Sequence, residues 1–218
     1  YKGSSTKLLS NDEPLPNYLS RFGVDVIWRT KNWGEPELKV NSYKKGSDIK
    51  NLCQENCENL DYDEVLLYGL KDEILESQKP KKFIVLHQTG SHGPSYFSKY
   101  PKIFEKFKPV CKTVQLKECT KEELDNAYDN TILYTDYILD SLIEDLKSLN
   151  KPSIMIYMSD HGESLGESGF YLHGSPNILA PKEQRNIPFM IWMSDEFKKS
   201  HNLEDENIVK EDNYTQDY

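Results

Sequence analysis

No apolar run in this sequence approaches the roughly 18 residues needed to cross a bilayer, and mean hydropathy is −0.73. A membrane-spanning helix within these 218 residues is thereby excluded. Positive charge is also in short supply. Lys and Arg number 27 against 36 Asp and Glu, a net charge of −9. That argues against nucleic acid as a partner, because phosphate backbones are bound by basic faces. The chain opens Tyr1-Lys2-Gly3-Ser4-Ser5-Thr6, with neither an initiating Met nor a signal-peptide pattern. The expectation is therefore a fragment of a longer protein. There are no internal repeats, no low-complexity tracts and no linker that divides the chain into two domains.

Cysteine is scarce, with four residues in two local pairs, Cys53 with Cys57 and Cys111 with Cys119. The pairing suggests two disulfides, although four cysteines allow three connectivities. A zinc site or four free thiols are the competing readings. Neither spacing is Cys-x-x-Cys and no histidine lies near either pair, which favours disulfides and hence a compartment outside the cytoplasm.

What is present fits one globular domain, with 37% hydrophobic and 29% charged residues over a length that buries a real core. Residues 14–22 read as a short helix closed by Gly23, and Val24 to Trp28 as a strand. Residues 29–60 are polar, contain Gly34, Pro36 and Gly46, and read as an excursion stapled by the first cysteine pair. Asp61 or Asp63 caps an expected helix through Leu66, Leu67, Leu70 and Ile74, ended by Pro80. Phe83 to Leu86 reads as a second buried strand, and Tyr96 to Pro109 as an aromatic, lysine-rich surface loop. Thr120 and Glu123 form a capping box ahead of a helix of about 28 residues, with an apolar stripe at 124, 128, 132, 135, 139, 142, 146 and 149. Ile187 to Met193 reads as another strand. The alternation predicts an α/β fold, doubly wound, with a mostly parallel sheet and helices on both faces.

The chemistry concentrates in residues 154–176. Ile154 to Met158 is short and apolar and reads as a buried strand in a parallel sheet covered on both faces. It runs into Asp160-His161-Gly162. An acid and an imidazole at the carboxyl end of such a strand stand where open α/β sheets bind ligands. Both bind divalent metals, so Asp160 and His161 are the candidate metal ligands. His173 follows a loop with Gly166 and Gly169 that can fold back to the same point. An isolated Asp-His pair is more often a cap or a surface turn, and lone loop histidines such as His92 and His173 are more often merely capped. His87, at the end of its strand, reads as a hydrogen-bonded structural residue, and His201 as exposed. Glu163 and Glu167 read as solvated or capping.

The whole string from Ser159 to Pro176 is far more specific than the pair. It resembles the metal-site segment of the bacterial phosphoethanolamine transferases, the group that includes the mobile colistin-resistance enzymes, here of epsilonproteobacterial type. These belong to the alkaline phosphatase and sulfatase superfamily. The segment Ala180 to Trp192 also resembles the family, with a structural role leading into the last strand. The resemblance implies zinc at Asp160 and His161, and binding of the transferred phosphoryl group or a second zinc by His92 and His173. Asn32 matches an asparagine beside bound phosphoethanolamine, but the lysine expected nearby is replaced by Pro36. It implies several disulfides and a periplasmic domain of an inner-membrane protein, anchored by N-terminal helices that are absent here. The implied activity moves phosphoethanolamine from phosphatidylethanolamine to lipid A, lipooligosaccharide or another envelope acceptor through a phosphothreonine-type intermediate.

One departure matters. The family's glutamate in Gly-Glu-Thr and its threonine nucleophile in Cys-Gly-Thr have no counterpart in the sequence. Thr89 or Ser95 can be proposed as substitute nucleophiles, but nothing around them supports activation by a base or metal. The expectation is part of one catalytic domain with the nucleophile outside the chain, a monomer that pairs with its own upstream segment. The rival readings are an inactive fragment and another hydrolase of the superfamily, a sulfatase or phosphatase.

Overall fold

The computed structural model describes residues 13–32, 35, 38–55, 57–176 and 178–204. The opening residues, Gly34, Pro36 and the segment before Tyr218 lie outside the described residues. The chain forms two compact units, residues 1–89 and 90–218.

In the first unit, helix α1 (Leu15–Arg21) ends where Gly23 takes φ 84°, a left-handed turn that suits glycine. Strand β1 (Asp25–Thr30) follows and lies at the centre of a three-stranded parallel sheet. Its neighbours are β2 (Ser42–Lys45) and β3 (Lys82–His87), with Val26 opposite Phe83 and Thr30 opposite His87. Val26 and Ile27 point to opposite faces and are 0% and 1% exposed, so both faces are covered, as parallel sheets require.

Two expectations fail in this unit. The polar excursion at 29–60 holds β2 and a helix, α2 (Gly46–Asn51). The helix expected from Asp61 or Asp63 to Ile74 is broken into a 3-10 turn (Asp63–Leu66) and α3 (Leu70–Glu76). Gly69, at φ 61°, divides them. The apolar residues are used all the same, since Leu66 and Leu70 are buried, and Leu66 joins Ile49, Leu60 and Val65 in one cluster. Cys53, bonded to Cys57, packs against that cluster.

In the second unit, α4 (Lys121–Ser148) is 28 residues long, as its sequence pattern indicates. The capping box is closed: the Glu123 amide donates to Thr120 Oγ1 at 3.2 Å and the Thr120 amide to Glu123 Oε2 at 2.8 Å. Its buried stripe runs Leu124, Ala127, Thr131, Tyr134 and Ile138, whereas Ile132, assigned to the stripe from sequence, is 46% exposed.

Strand β4 (Ile154–Met158) corrects a further expectation. It pairs antiparallel with β7 (Phe189–Met193) and does not lie in the parallel sheet. Met155 is buried while Ile154, Ile156 and Met158 are exposed, so one face is covered. A five-residue apolar run cannot distinguish one covered face from two. Between these strands a hairpin, β5 (Ser164–Leu165) with β6 (Tyr171–Leu172), folds over a core of Tyr96, Cys111, Leu116, Leu124 and Ala127. The Cys111–Cys119 disulfide lies in that core, so both expected bridges are formed. Short helices α5 (Lys182–Arg185) and α6 (Asp195–His201) complete the unit. Among the described residues no helix is long and apolar enough to cross a membrane.

Candidate metal centre

Three histidines distant in sequence meet in the second unit. His161 follows β4, and His92 lies in Ser91-His92-Gly93-Pro94, ahead of a 3-10 turn at Tyr96–Ser98. The hairpin brings the chain back, and positive φ at Leu172 and Gly174 turns His173 toward His161. The His161 and His173 rings stack at 3.8 Å between centroids, with His92 at 5.0 Å from His173 and 6.2 Å from His161. One ring nitrogen from each lies within 4.8 Å of the others, a spacing that a single ion can bridge.

The hydrogen bonds show which nitrogens are left over for an ion. His92 Nδ1 lies 2.8 Å from the Gly93 carbonyl and His161 Nδ1 lies 2.9 Å from the Gly162 carbonyl. His173 Nδ1 lies 2.6 Å from Glu163 Oε1. Carbonyl and carboxylate oxygens only accept, so the tautomer that fits these contacts carries its proton on Nδ1 in each ring. Each Nε2 then carries the lone pair that a metal takes. Asp160 Oδ1 stands 3.8 Å from His161 Nε2, at the rim of the cluster, with its side chain largely in solvent. The sequence reading divided the ligands into Asp160 with His161 and His92 with His173; the fold gathers the three imidazoles, with Asp160 beside them.

Glu163 was assigned a solvated or capping role, and the structure overturns that. Its side chain is 4% exposed and spans two donors, His173 Nδ1 and the Tyr96 hydroxyl, the latter at 2.8 Å from Oε2. Burial pushes the Tyr96 phenol far above its usual pKa, and the Glu163 carboxylate adds to it, so Tyr96 remains a hydroxyl donor at any working pH. Tyr128, packed edge-on against Tyr96, is raised to about 12 by burial and then by Glu163. Glu167 accepts from the Leu165 amide at 2.6 Å. Gln184, from the segment expected to be structural, is buried and donates to Ser164 Oγ at 3.0 Å while accepting from the Ser175 amide at 3.3 Å. It ties together the two ends of the loop that carries Glu163 and His173.

Two glycines are required by close approach. A Cβ at Gly93 would stand 2.6 Å from the Tyr96 hydroxyl, and one at Gly162 would stand 2.0 Å from the Glu183 carbonyl oxygen. The Gly162 amide already donates to the Gln184 carbonyl at 3.0 Å, so that backbone has nowhere to retreat. Gly162→Ala is expected to destabilise the unit by about 1–3 kcal/mol through overpacking. It should displace His161, read as weakened metal binding in a titration alongside a thermal melt.

Of the remaining assigned residues, all but His201 belong to the first unit. His87 Nδ1 is 2.7 Å from Glu35 Oε1, and Asn32 Nδ2 lies 3.4 Å from His87 Nε2 and 3.4 Å from the Gln88 carbonyl. Burial raises the Glu35 pKa, but hydrogen bonds from Thr30 and His87 outweigh it and leave the carboxyl below its ordinary value. His87 is thus hydrogen-bonded as expected, though 35% of its side chain is exposed. Thr89 is tied into the backbone, its hydroxyl donating to the Lys31 carbonyl at 3.2 Å and its amide to Asp63 Oδ1 at 3.0 Å. His201 is exposed and stacks on Phe197 at 4.2 Å.

The chain is similar to known proteins. The sulfatase family profile matches residues 2–216. The phosphoethanolamine transferase EptA of Helicobacter pylori is 48% identical over 192 residues, which is 88% of this chain and 37% of that protein. The solved C-terminal periplasmic domain of phosphoethanolamine transferase EptC from Campylobacter jejuni is 42% identical with a TM-score of 0.69, covering 80% of this chain and 54% of that one. The soluble domain of lipooligosaccharide phosphoethanolamine transferase A from Neisseria meningitidis is 38% identical with a TM-score of 0.72, covering 83% and 54%. The chain therefore spans 37% of the length of the Helicobacter relative and about half of each solved domain.

Proposed function

This chain belongs to the sulfatase family, and on that premise we propose that it forms part of the catalytic domain of a zinc-dependent phosphoethanolamine transferase. The observation that carries the reading is the convergence of His92, His161 and His173 with every Nδ1 committed to a protein acceptor. Three imidazoles with a carboxylate at the rim are a donor set that suits zinc and leaves room for substrate. Zinc bound there would polarise phosphoryl oxygens and lower the pKa of an attacking hydroxyl.

The chain's own residues hold the reacting group. Asp160 and His161 would hold the first ion, and His92 and His173 stand close enough either to share it or to hold the transferred phosphoryl group or a second ion. Glu163, fixed by Tyr96, sets the orientation of His173. The attacking threonine comes from outside these 218 residues, since no Cys-Gly-Thr occurs in them. Its oxygen bonds to the phosphorus of phosphatidylethanolamine as diacylglycerol leaves. The phosphoethanolamine group then passes to an acceptor, a lipid A phosphate or another envelope group. The setting is a periplasmic domain of an inner-membrane protein, acting as a monomer.

The test uses the full-length protein with a fluorescent phosphatidylethanolamine and, separately, an aryl sulfate ester. Zinc-dependent release of diacylglycerol with an inert sulfate ester is the expected result. Hydrolysis of the sulfate without diacylglycerol release would assign a sulfatase instead. A second reading applies to the 218 residues by themselves. Lacking both the Gly-Glu-Thr and Cys-Gly-Thr motifs, they bind zinc without turnover.

A further inference from the structure

The lysine-rich loop ahead of α4 takes no part in the centre described above. Residues 99–117 hold six lysines and one acid, Glu105, a local +5 within a chain of net −9. Lys102, Lys106, Lys108, Lys112 and Lys117 are exposed. Three apolar side chains stand out among them: Ile103 is 67% exposed, Phe107 44% and Val114 49%.

This exposure is built in. Asn130 of α4, wholly buried, accepts from the Lys106 and Phe107 amides at 2.8 and 2.9 Å and donates to the Phe107 carbonyl at 3.0 Å. Asn126 donates to the Pro109 carbonyl at 2.9 Å, and the Cys111–Cys119 bridge closes the far end. Phe104 packs inward against Tyr134 and Tyr137 at 4.8 and 5.0 Å, while the clamped backbone at 106–107 holds Phe107 outward. The loop rests on the same core as the β5–β6 hairpin, with Lys117 Nζ 5.9 Å from the centre of the Tyr171 ring, two residues before His173.

Fixed apolar tips ringed by lysines match the boundary between lipid head groups and acyl chains. There the side chains shed water and the ammonium groups meet anionic phosphates. A long polyanion such as nucleic acid fits less well, because it would also run along the acidic remainder of the domain. We propose that residues 99–117 dock this domain on an anionic lipid surface, with Ile103 and Phe107 inserted and the lysines on the head groups. This inference does not rest on the transferase reading, and its test needs no turnover.

The 218-residue chain is sedimented with vesicles of phosphatidylcholine, with and without phosphatidylglycerol, at low and high salt. Binding at least tenfold tighter to the anionic vesicles is expected, weakening as salt screens the charges. Lys106→Gln/Lys108→Gln/Lys112→Gln should lose at least tenfold of it. Phe107→Ser should lose several-fold, including at the higher salt. Lys147→Gln/Lys151→Gln/Lys199→Gln removes equal charge from exposed positions elsewhere in the unit and should bind as the parent does. Circular dichroism confirms that each variant is folded. Equal binding to both vesicles would overturn the proposal, as would an equal loss in the control or no response to Phe107→Ser, which would mean unspecific attraction to polyanions.

Discussion

Glu163→Leu is expected to lower the affinity of the three-histidine cluster for zinc by about 100-fold, and Glu163→Gln by about tenfold, within the range seen when outer partners of metal-bound histidines are removed. Glu163 touches His173 Nδ1 and the Tyr96 hydroxyl and is otherwise closed off from water. Leucine leaves both donors without their acceptor, the Tyr96 hydroxyl in a buried position, and frees His173 to rotate or change tautomer. Glutamine keeps one acceptor, and Tyr96 can reverse its hydroxyl to accept from the new amide, so only the charge is lost. Tyr96→Phe leaves the carboxylate in place and should cost least. Competition with a chromophoric chelator gives the affinities, and the ring nitrogen shifts of His173 report its tautomer. If all three variants bind zinc as the parent does and keep the Nδ1–H tautomer, Glu163 does not position His173.

The second large effect concerns stability of the first unit. Arg29 lies in the parallel sheet with its side chain 2% exposed, and it donates to the Leu66 and Tyr68 carbonyls at 3.0 and 2.6 Å and to Glu73 through Nε at 3.1 Å. Arg29→Met removes all of these and leaves Glu73 with only Lys44, at 3.0 Å, and the Ser42 hydroxyl. Breaking a buried pair from one side costs about 3–5 kcal/mol. With a urea slope of about 1–3 kcal/mol/M the unfolding midpoint should fall by about 2 M.

The same network sets an acid limit. Burial by itself raises the Glu73 pKa, but hydrogen bonds from Ser42, Arg29 and Lys44 outweigh it and hold the value below the ordinary 4.5. A depressed carboxylate adds stability above its unfolded pKa and loses it as the pH falls through the folded value. Unfolding free energy should therefore drop below about pH 4.5 in the parent and change less there in Glu73→Gln. Equal slopes for the two would remove Glu73 from the account.

Local signals were legible in the sequence wherever cause and effect lie close together. Thr120 and Glu123 announce the start of the long helix because the two residues cap each other. The cysteine pairs lie four and eight residues apart, so chain proximity alone brings them within bonding reach. The break at Gly69 was missed because the apolar spacing continues across it, and only the left-handed backbone there divides a turn from a helix. The antiparallel pairing of Ile154 to Met158 was missed because direction depends on a partner strand that five apolar residues do not identify.

The sequence by itself determined the family, the two bridges, the long helix and the string in which Asp160, His161 and His173 stand. Each follows from residue types at short spacing. Only the tertiary structure decided that all three imidazoles stand within reach of a single ion, and that Glu163 is a buried support. The Tyr96 hydroxyl that meets Glu163 lies 67 residues away, and a contact over that span depends on how β4, the hairpin and α4 pack. Burial turns an acidic residue that would otherwise be solvated into one that must accept from two donors, and no pattern along the chain carries that information.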